Sequence, residues 1–270
     1  MQTMLKIGII GCGAIGTTLA RAIDTDIKKA QVVALSDIDQ NLAESLKKRL
    51  QSNPETTTID TLIESSDLVI ECAHKNSVYE IVSKAIHKKK DILVMSVSGL
   101  IDNPRLLELA KENNTNIYIP TGAIAGIDAL KAARQSSITS VTLTTTKPKA
   151  GLKGAPYITE NNINLDTIKK KTQIFEGNVY EAIKGFPLNV NVSATLALAG
   201  IGPEKTKVRI ILDPLSTINS HEIEITGDFG KITTRTENTP CPANPKTSYL
   251  AALSAIAKIK DMTEPIRIGT

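Results

Sequence analysis

Gly11, Gly13 and Gly16 stand at the spacing G-x-G-x-x-G within LKIGIIGCGAIGTTLARAID, Leu5 to Asp24. Such a loop either cradles the pyrophosphate of a dinucleotide or simply turns the chain tightly from a strand into a helix. Context favours the first purpose, because an apolar run leads straight into the motif and a helical pattern leads straight out of it. Gly11 then permits the turn, Gly13 lets the backbone approach a phosphate, and Gly16 lets the helix pack closely on the strand. Ala14 and Ile15 complete the loop, and the helix start offers N–H groups and a positive dipole end to the anion. The second apolar run ends in ALSDID. Its Asp37 falls about 20 residues after Gly16, where an acid accepts hydrogen bonds from ribose hydroxyls. The other reading of Asp37 is a helix N-cap. An acid at this place repels a 2′-phosphate, and the next residue is Ile38 rather than arginine, so NAD is expected in preference to NADP. Methyltransferases that use S-adenosylmethionine also carry a glycine loop after a first strand, usually without the third glycine in this register.

A hydride-transfer enzyme that oxidises an amine or alcohol needs a proton acceptor. The chain has three histidines. His87, in AIHKKKD, reads as solvated near a helix end. His74 follows a strand end and is placed to flank a cofactor. His221 lies on a predicted strand, NSHEIEITGDFG, where a lone histidine is commonly structural.

These groups need a scaffold, and the first part of the chain supplies one. Short apolar runs, MLKIGII, AQVVALSD, SDLVIECA, KDILVMSV and TNIYIP, alternate with helical patterns, which implies a parallel sheet covered by helices. Ligands of such sheets bind at the carboxyl ends of the strands. Those ends here carry Ala73 and His74, Ser98 and Gly99, and the segment TGAIAG. After Pro120 the texture becomes α+β. GIDALKAARQ is helical and SITSVTLTTTKP alternates as a half-buried strand. DTIKKKTQIFEGNVYEAIKGFP and NVSATLALAGIG read as helices. TKVRIILDP, NSHEIEITGDFG and KITTRTENTP follow as strands, with a hairpin turn at GDFGK. PCPANP reads as a linker before a last helix, KTSYLAALSAIAKIKDM. The expected division is a dinucleotide-binding domain over 1–120, an α+β domain over 121–240, and a C-terminal helix over 241–270 able to pack back on the first domain.

Charged residues make up 22% and the net charge is +4, without a basic arm or interleaved aromatics, so nucleic acid is not an expected partner. No stretch is long and apolar enough to span a bilayer. Cys12, Cys72 and Cys241 form no C-x-x-C pair and no metal-ligand pattern, which fits free thiols in a reducing cytoplasm.

Three segments together resemble the L-aspartate dehydrogenase family: IGIIGCGAIG, YIPTGAIAGIDALKAA, and FPLNVNVSATLALAGIG followed by the DP…NSHEIEITGDFG strand pair. The layout is also similar to that of dihydrodipicolinate reductase and homoserine dehydrogenase. The resemblance implies a Rossmann domain, a catalytic domain with a mixed sheet, and a homodimer. It implies oxidation of L-aspartate to iminoaspartate, which hydrolyses to oxaloacetate and ammonia or feeds NAD biosynthesis. It gives His221 the acid–base role and Ala123 and Asn189 contacts to a cofactor that is NAD or, in some members, NADP. Asn189 is otherwise readable as a helix cap. Two substrate carboxylates need cationic or N–H partners. Lys147, at a strand end, is the candidate, followed by Lys153 and Arg209, and each is also readable as an ordinary surface charge. The rival readings are a related dehydrogenase acting on another amino or hydroxy acid and a non-catalytic dinucleotide sensor.

Overall fold

The structure, a computed structural model, describes residues 4–187, 190–241 and 244–269. The apolar runs near the start pair as parallel strands. In chain order they are β1 (Leu5–Ile10), β2 (Ala30–Ser36), β3 (Glu55–Thr56), β4 (Leu68–Glu71), β5 (Asp91–Val94) and β6 (Ile117–Tyr118). Their spatial order is β3-β2-β1-β4-β5-β6, all parallel. This is the doubly wound Rossmann order, whose ligand crevice lies where the chain reverses direction, between β1 and β4. Every residue of β4 is buried, as expected of a strand covered on both faces. The intervening helices are α1 (Ala14–Asp26), α2 (Gln40–Lys47), α3 (Ile59–Ser65), α4 (Val78–His87), α5 (Ser98–Asp102) and α6 (Arg105–Asn113). The sequence reading lacked β3, α3 and α5, each seven residues or shorter, too short for a clear period.

The chain divides into two compact units. One is the chain up to Pro120 together with Ala252–Arg267, and the other begins at Thr121 and runs to Ala251. The second unit contains α7 (Ile127–Ala133), β7 (Ile138–Lys147), α8 (Lys149–Leu152), α9 (Pro156–Glu160), β8 (Thr172–Asn178), α10 (Val179–Gly185) and α11 (Asn191–Ala199). After these come β9 (Thr206–Leu212), β10 (Asn219–Gly227), β11 (Gly230–Asn238), β12 (Pro240–Cys241) and β13 (Asn244–Ser248), and then α12 (Tyr249–Thr263), which belongs to the first unit from Ala252 on. The sheet order is β11-β10-β7-β9-β8, with β7 and β9 parallel and the other neighbours antiparallel. It is a mixed sheet with β7 at its centre. Within the first unit, Ala255 and Ile259 of α12 are fully buried against Ile9, Leu19 and Leu35.

Two expectations fail here. Most of the span from Asp166 to Pro187, expected as helix, is an edge strand followed by a short helix. β8 pairs antiparallel with β9, and Glu176 binds Arg209 and Lys207 across the pair. The helix begins only at the capping box, in which Asn178 and Glu181 satisfy each other's backbone. Likewise PCPANP is not a linker: Pro240–Cys241 and Asn244–Ser248 pair as a two-stranded ribbon, and α12 starts at Tyr249.

Candidate active site

In the first unit the glycine loop is built as its spacing demands. Gly11 sits at φ 97°, and its N–H donates to Ser36 O at 2.8 Å. A Cβ on Gly16 would strike the Gly11 carbonyl oxygen, so the helix can approach the loop only with glycine there. Gly13 is the N-cap of α1 and offers no side-chain oxygen, which leaves the first amides of the helix without a side-chain acceptor. A Cβ on Gly13 would meet nothing within 4 Å, so this side of the loop is open. Ala14 and Ile15 form the half-buried first turn behind it.

Asp37 does not cap α2; Asp39 does, accepting from Asn41 N. Asp37 Oδ2 accepts from Cys12 N at 2.6 Å and Oδ1 from Asp39 N at 2.9 Å. The carboxylate thus braces the glycine loop and keeps further lone pairs for a ligand. A cavity of about 550 Å³ opens here, lined by Gly11, Gly13, Asp37, Ile38, Ala73 and His74 among others. Ile38 is fully exposed at its rim. His74 caps a short 3-10 turn, its Nδ1 accepting from Asn76 N at 3.3 Å. Ser98 is buried at the start of α5 and does not line the cavity. The open loop, the uncapped helix start and the acid beside the cavity fit the adenosine diphosphate end of a dinucleotide. Gly16→Ala is therefore expected to cost about 1–3 kcal/mol of folding stability by overpacking and to weaken dinucleotide binding, read by denaturant unfolding and by titration.

One residue here escaped the sequence reading. Glu71 is fully buried at the end of β4 and accepts from Ala73 N at 2.8 Å and Ser96 N at 2.9 Å. Burial pushes its carboxyl upward, while the amides it binds oppose that. It fixes the loop that carries Ala73 and His74. Burial likewise pushes the Cys12 thiol up to about 12, with the Asp37 charge adding to it, and raises Cys72, so neither serves as a thiolate near neutral pH.

The second unit holds a separate polar cluster, and strand periodicity explains it. Val141 and Leu143 on β7 and Ile225 and Ile223 on β10 face one apolar core with Leu130 and Leu196. Two residues further along each strand the same face turns polar, with Thr145 and Lys147 on β7 and His221 and Asn219 on β10. On β11 the change follows Ile232, with Thr234, Thr236 and Asn238. Register places His221 between Thr145 and Thr236. Thr145 Oγ1 and His221 Nδ1 are 2.9 Å apart, and Lys147 Nζ donates to Asn219 Oδ1 at 3.5 Å. Thr236 Oγ1 and Asn238 Nδ2 both donate to the Ala123 carbonyl at 3.0 Å, and Thr234 Oγ1 donates to that of Ala125. Ala123 is thereby tied over the strand that neighbours His221.

The electrostatics are unusual for a core face. Lys147 is 6% exposed and forms no ion pair with any described carboxylate. Burial lowers its ammonium to about 8. His221 is pulled down to about 3, first by burial and then by the Lys147 charge. The surface reading of Lys147 is overturned, because β7 is the central strand and Lys147 lies on its covered face. Lys153 is exposed, and Arg209 is engaged by Glu176 at 2.6 Å. Asn189 lies outside the described residues. Among the described residues no group of three or more His, Cys, Asp or Glu side chains could hold a metal ion, and no helix is long and apolar enough to cross a membrane.

Comparison with known proteins sets these two arrangements in a family. A family model described as the C-terminal region of aspartate dehydrogenase matches residues 128–262, and one described as the NAD-binding domain of homoserine dehydrogenase matches residues 11–120. The chain is 49% identical to an L-aspartate dehydrogenase of Methanococcoides burtonii and 50% identical to one of Methanosarcina barkeri, in both cases over 99% of this chain and 100% of the relative. Its fold is similar to the crystal structure of aspartate dehydrogenase from Thermotoga maritima, with a TM-score of 0.74 and 24% identity over 98% of this chain and 99% of that one. A myo-inositol dehydrogenase of Lactobacillus casei, solved with NAD(H) and myo-inositol, is similar at a TM-score of 0.59 and 15% identity, covering 97% and 86%. From identity sustained along the whole chain, this protein belongs to the L-aspartate dehydrogenase family.

Proposed function

We propose that the chain oxidises L-aspartate at its Cα–N bond with a nicotinamide dinucleotide, releasing iminoaspartate that hydrolyses to oxaloacetate and ammonia. The observation that carries this reading is the buried, unpaired Lys147 beside His221, on the sheet face to which Ala123 is tied. A buried ammonium without a counter-ion is an incomplete ion pair, and a dicarboxylate substrate supplies the missing half.

A nicotinamide bound to the chain would supply the acceptor for the hydride that leaves the substrate Cα. The chain's own residues perform the rest. Lys147 holds a carboxylate and so fixes Cα. His221 accepts a proton from the substrate amine, or later from the water that attacks the imine. In the free site its basicity is too low for this work. A substrate carboxylate seated on Lys147 offsets the positive field, the smaller of the two causes, and so moves the imidazole upward. Ala123 and Asn189 would hold the nicotinamide end, as the family resemblance implies, and the loop of Gly11, Gly13, Ala14, Ile15 and Gly16 would hold the pyrophosphate. Ala73 and His74, which line the cavity, would flank the cofactor, whereas Ser98 is buried away from it.

Asp37 favours NAD over NADP, supported by its place on the cavity and by the exposed Ile38 where an arginine would serve a 2′-phosphate. Asp37→Ala is expected to weaken NAD binding and to shift the NAD-to-NADP affinity ratio at least about tenfold toward NADP. Because Asp37 also braces the loop, the ratio is the informative quantity, and an unchanged ratio removes Asp37 from cofactor choice. A homodimer in the cytoplasm, supplying iminoaspartate to NAD biosynthesis, completes the proposal. The free state of all three cysteines supports a reducing compartment.

The test is incubation with L-aspartate and NAD⁺ at alkaline pH while NADH absorbance is followed. Turnover of another amino or hydroxy acid in its place, or dinucleotide binding without any turnover, would replace this reading.

A further inference from the structure

We propose that Thr145 is the positioning residue of this site: its hydroxyl occupies Nδ1 of His221 and leaves Nε2 as the reacting nitrogen. The inference rests on the reading of His221 as the acid–base group and adds what holds it. The antiparallel register of β7 and β10 sets Thr145 directly opposite His221, and the two side chains meet at 2.9 Å. Both are buried, and Thr145 Oγ1 makes no other hydrogen bond among the described residues. A β-branched residue in a strand has little χ1 freedom, so the hydroxyl is held where the backbone puts it.

The chemistry of the partner matters as much as its place. Histidine bases are commonly oriented by a carboxylate, which also stabilises the imidazolium. No described carboxylate fills that role here. A carboxylate would repel a dicarboxylate substrate and would pair with Lys147, removing the cation the substrate needs. A hydroxyl avoids both effects. It accepts from Nδ1–H in both the neutral and the protonated ring, so it stays bonded while the ring gains and loses a proton at Nε2. Asn219 does the same for Lys147, holding the ammonium through a neutral oxygen. The site thus orients its two reactive groups without placing negative charge beside them.

The experiment compares Thr145→Val, Thr145→Ser and His221→Ala in steady-state kinetics, with dinucleotide titration and thermal unfolding. Thr145→Val keeps the shape and β propensity and removes only the hydroxyl. Its kcat with L-aspartate is expected to fall about 10- to 100-fold, with KM and dinucleotide affinity within about threefold of the parent, while Thr145→Ser recovers most of the loss. Ring ¹⁵N spectra, readable because the chain has only three histidines, should show one tautomer of His221 in the parent and a mixture in Thr145→Val. The proposal is overturned if Thr145→Val turns over like the parent while His221→Ala does not. It is equally overturned if the valine and serine variants lose activity and stability alike, which marks a packing role. Normal turnover by His221→Ala instead removes the reading beneath it.

Discussion

His221→Ala is expected to lower kcat for L-aspartate oxidation by roughly two to four orders of magnitude while dinucleotide affinity stays within about twofold. The separation follows from the architecture. The glycine loop belongs to the first unit, whereas His221 is held on β10 of the second by Thr145 and strand register. Removing the imidazole leaves the Thr145 hydroxyl buried without its partner, which costs about 1–3 kcal/mol of stability. His221→Asn, which keeps a polar atom near Thr145, is therefore the companion variant. Equal loss of turnover in both, with both folded, assigns the effect to proton transfer. Unchanged turnover in a folded variant removes His221 from the mechanism.

Lys147→Met should lower kcat/KM for L-aspartate about 30- to 1000-fold, mostly through KM, the equivalent of about 2–4 kcal/mol for a charge-assisted contact to a buried cation. Its stability should stay level or rise, because methionine replaces an uncompensated buried charge with an apolar chain of similar length. A structural lysine would give the opposite pair of results. The pH dependence has a definite sign. Carboxylate binding needs the ammonium form, and in the free protein Lys147 titrates at about 8. Affinity for a non-reacting dicarboxylate such as succinate should thus fall about twofold between about pH 7 and 8, then up to about tenfold per pH unit above that. Calorimetric titration across that range, with Lys147→Met as the reference lacking the dependence, checks it. Binding that is level through pH 10 would exclude Lys147 from the carboxylate site.

Much of this was legible in the residues alone, and the reason is locality. The glycine loop is a strand, a turn and a helix start within a dozen residues, so its spacing carries its conformation. Fully apolar runs alternating with helical patterns imply a parallel sheet because strands buried on both faces have nowhere else to go. His221 could be singled out because the segment around it is distinctive. The misreadings are also local in origin. Thr172–Asn178 follows a lysine run and precedes a true helix, so its two-residue alternation was masked until pairing with β9 made it a strand. PCPANP has the composition of a linker, yet its ends pair as a ribbon.

The sequence by itself determined the glycine loop, the acid that follows it and the two-part class of the fold, and it singled out the histidine proposed for proton transfer. Only the tertiary structure decided that Lys147 is buried, that no described carboxylate answers it, and that Thr145 faces His221. Those facts depend on which strands are neighbours and in what register, over a separation of 76 residues between Thr145 and His221. Burial and charge compensation are properties of such non-local neighbours, and a residue's own flanking sequence does not contain them.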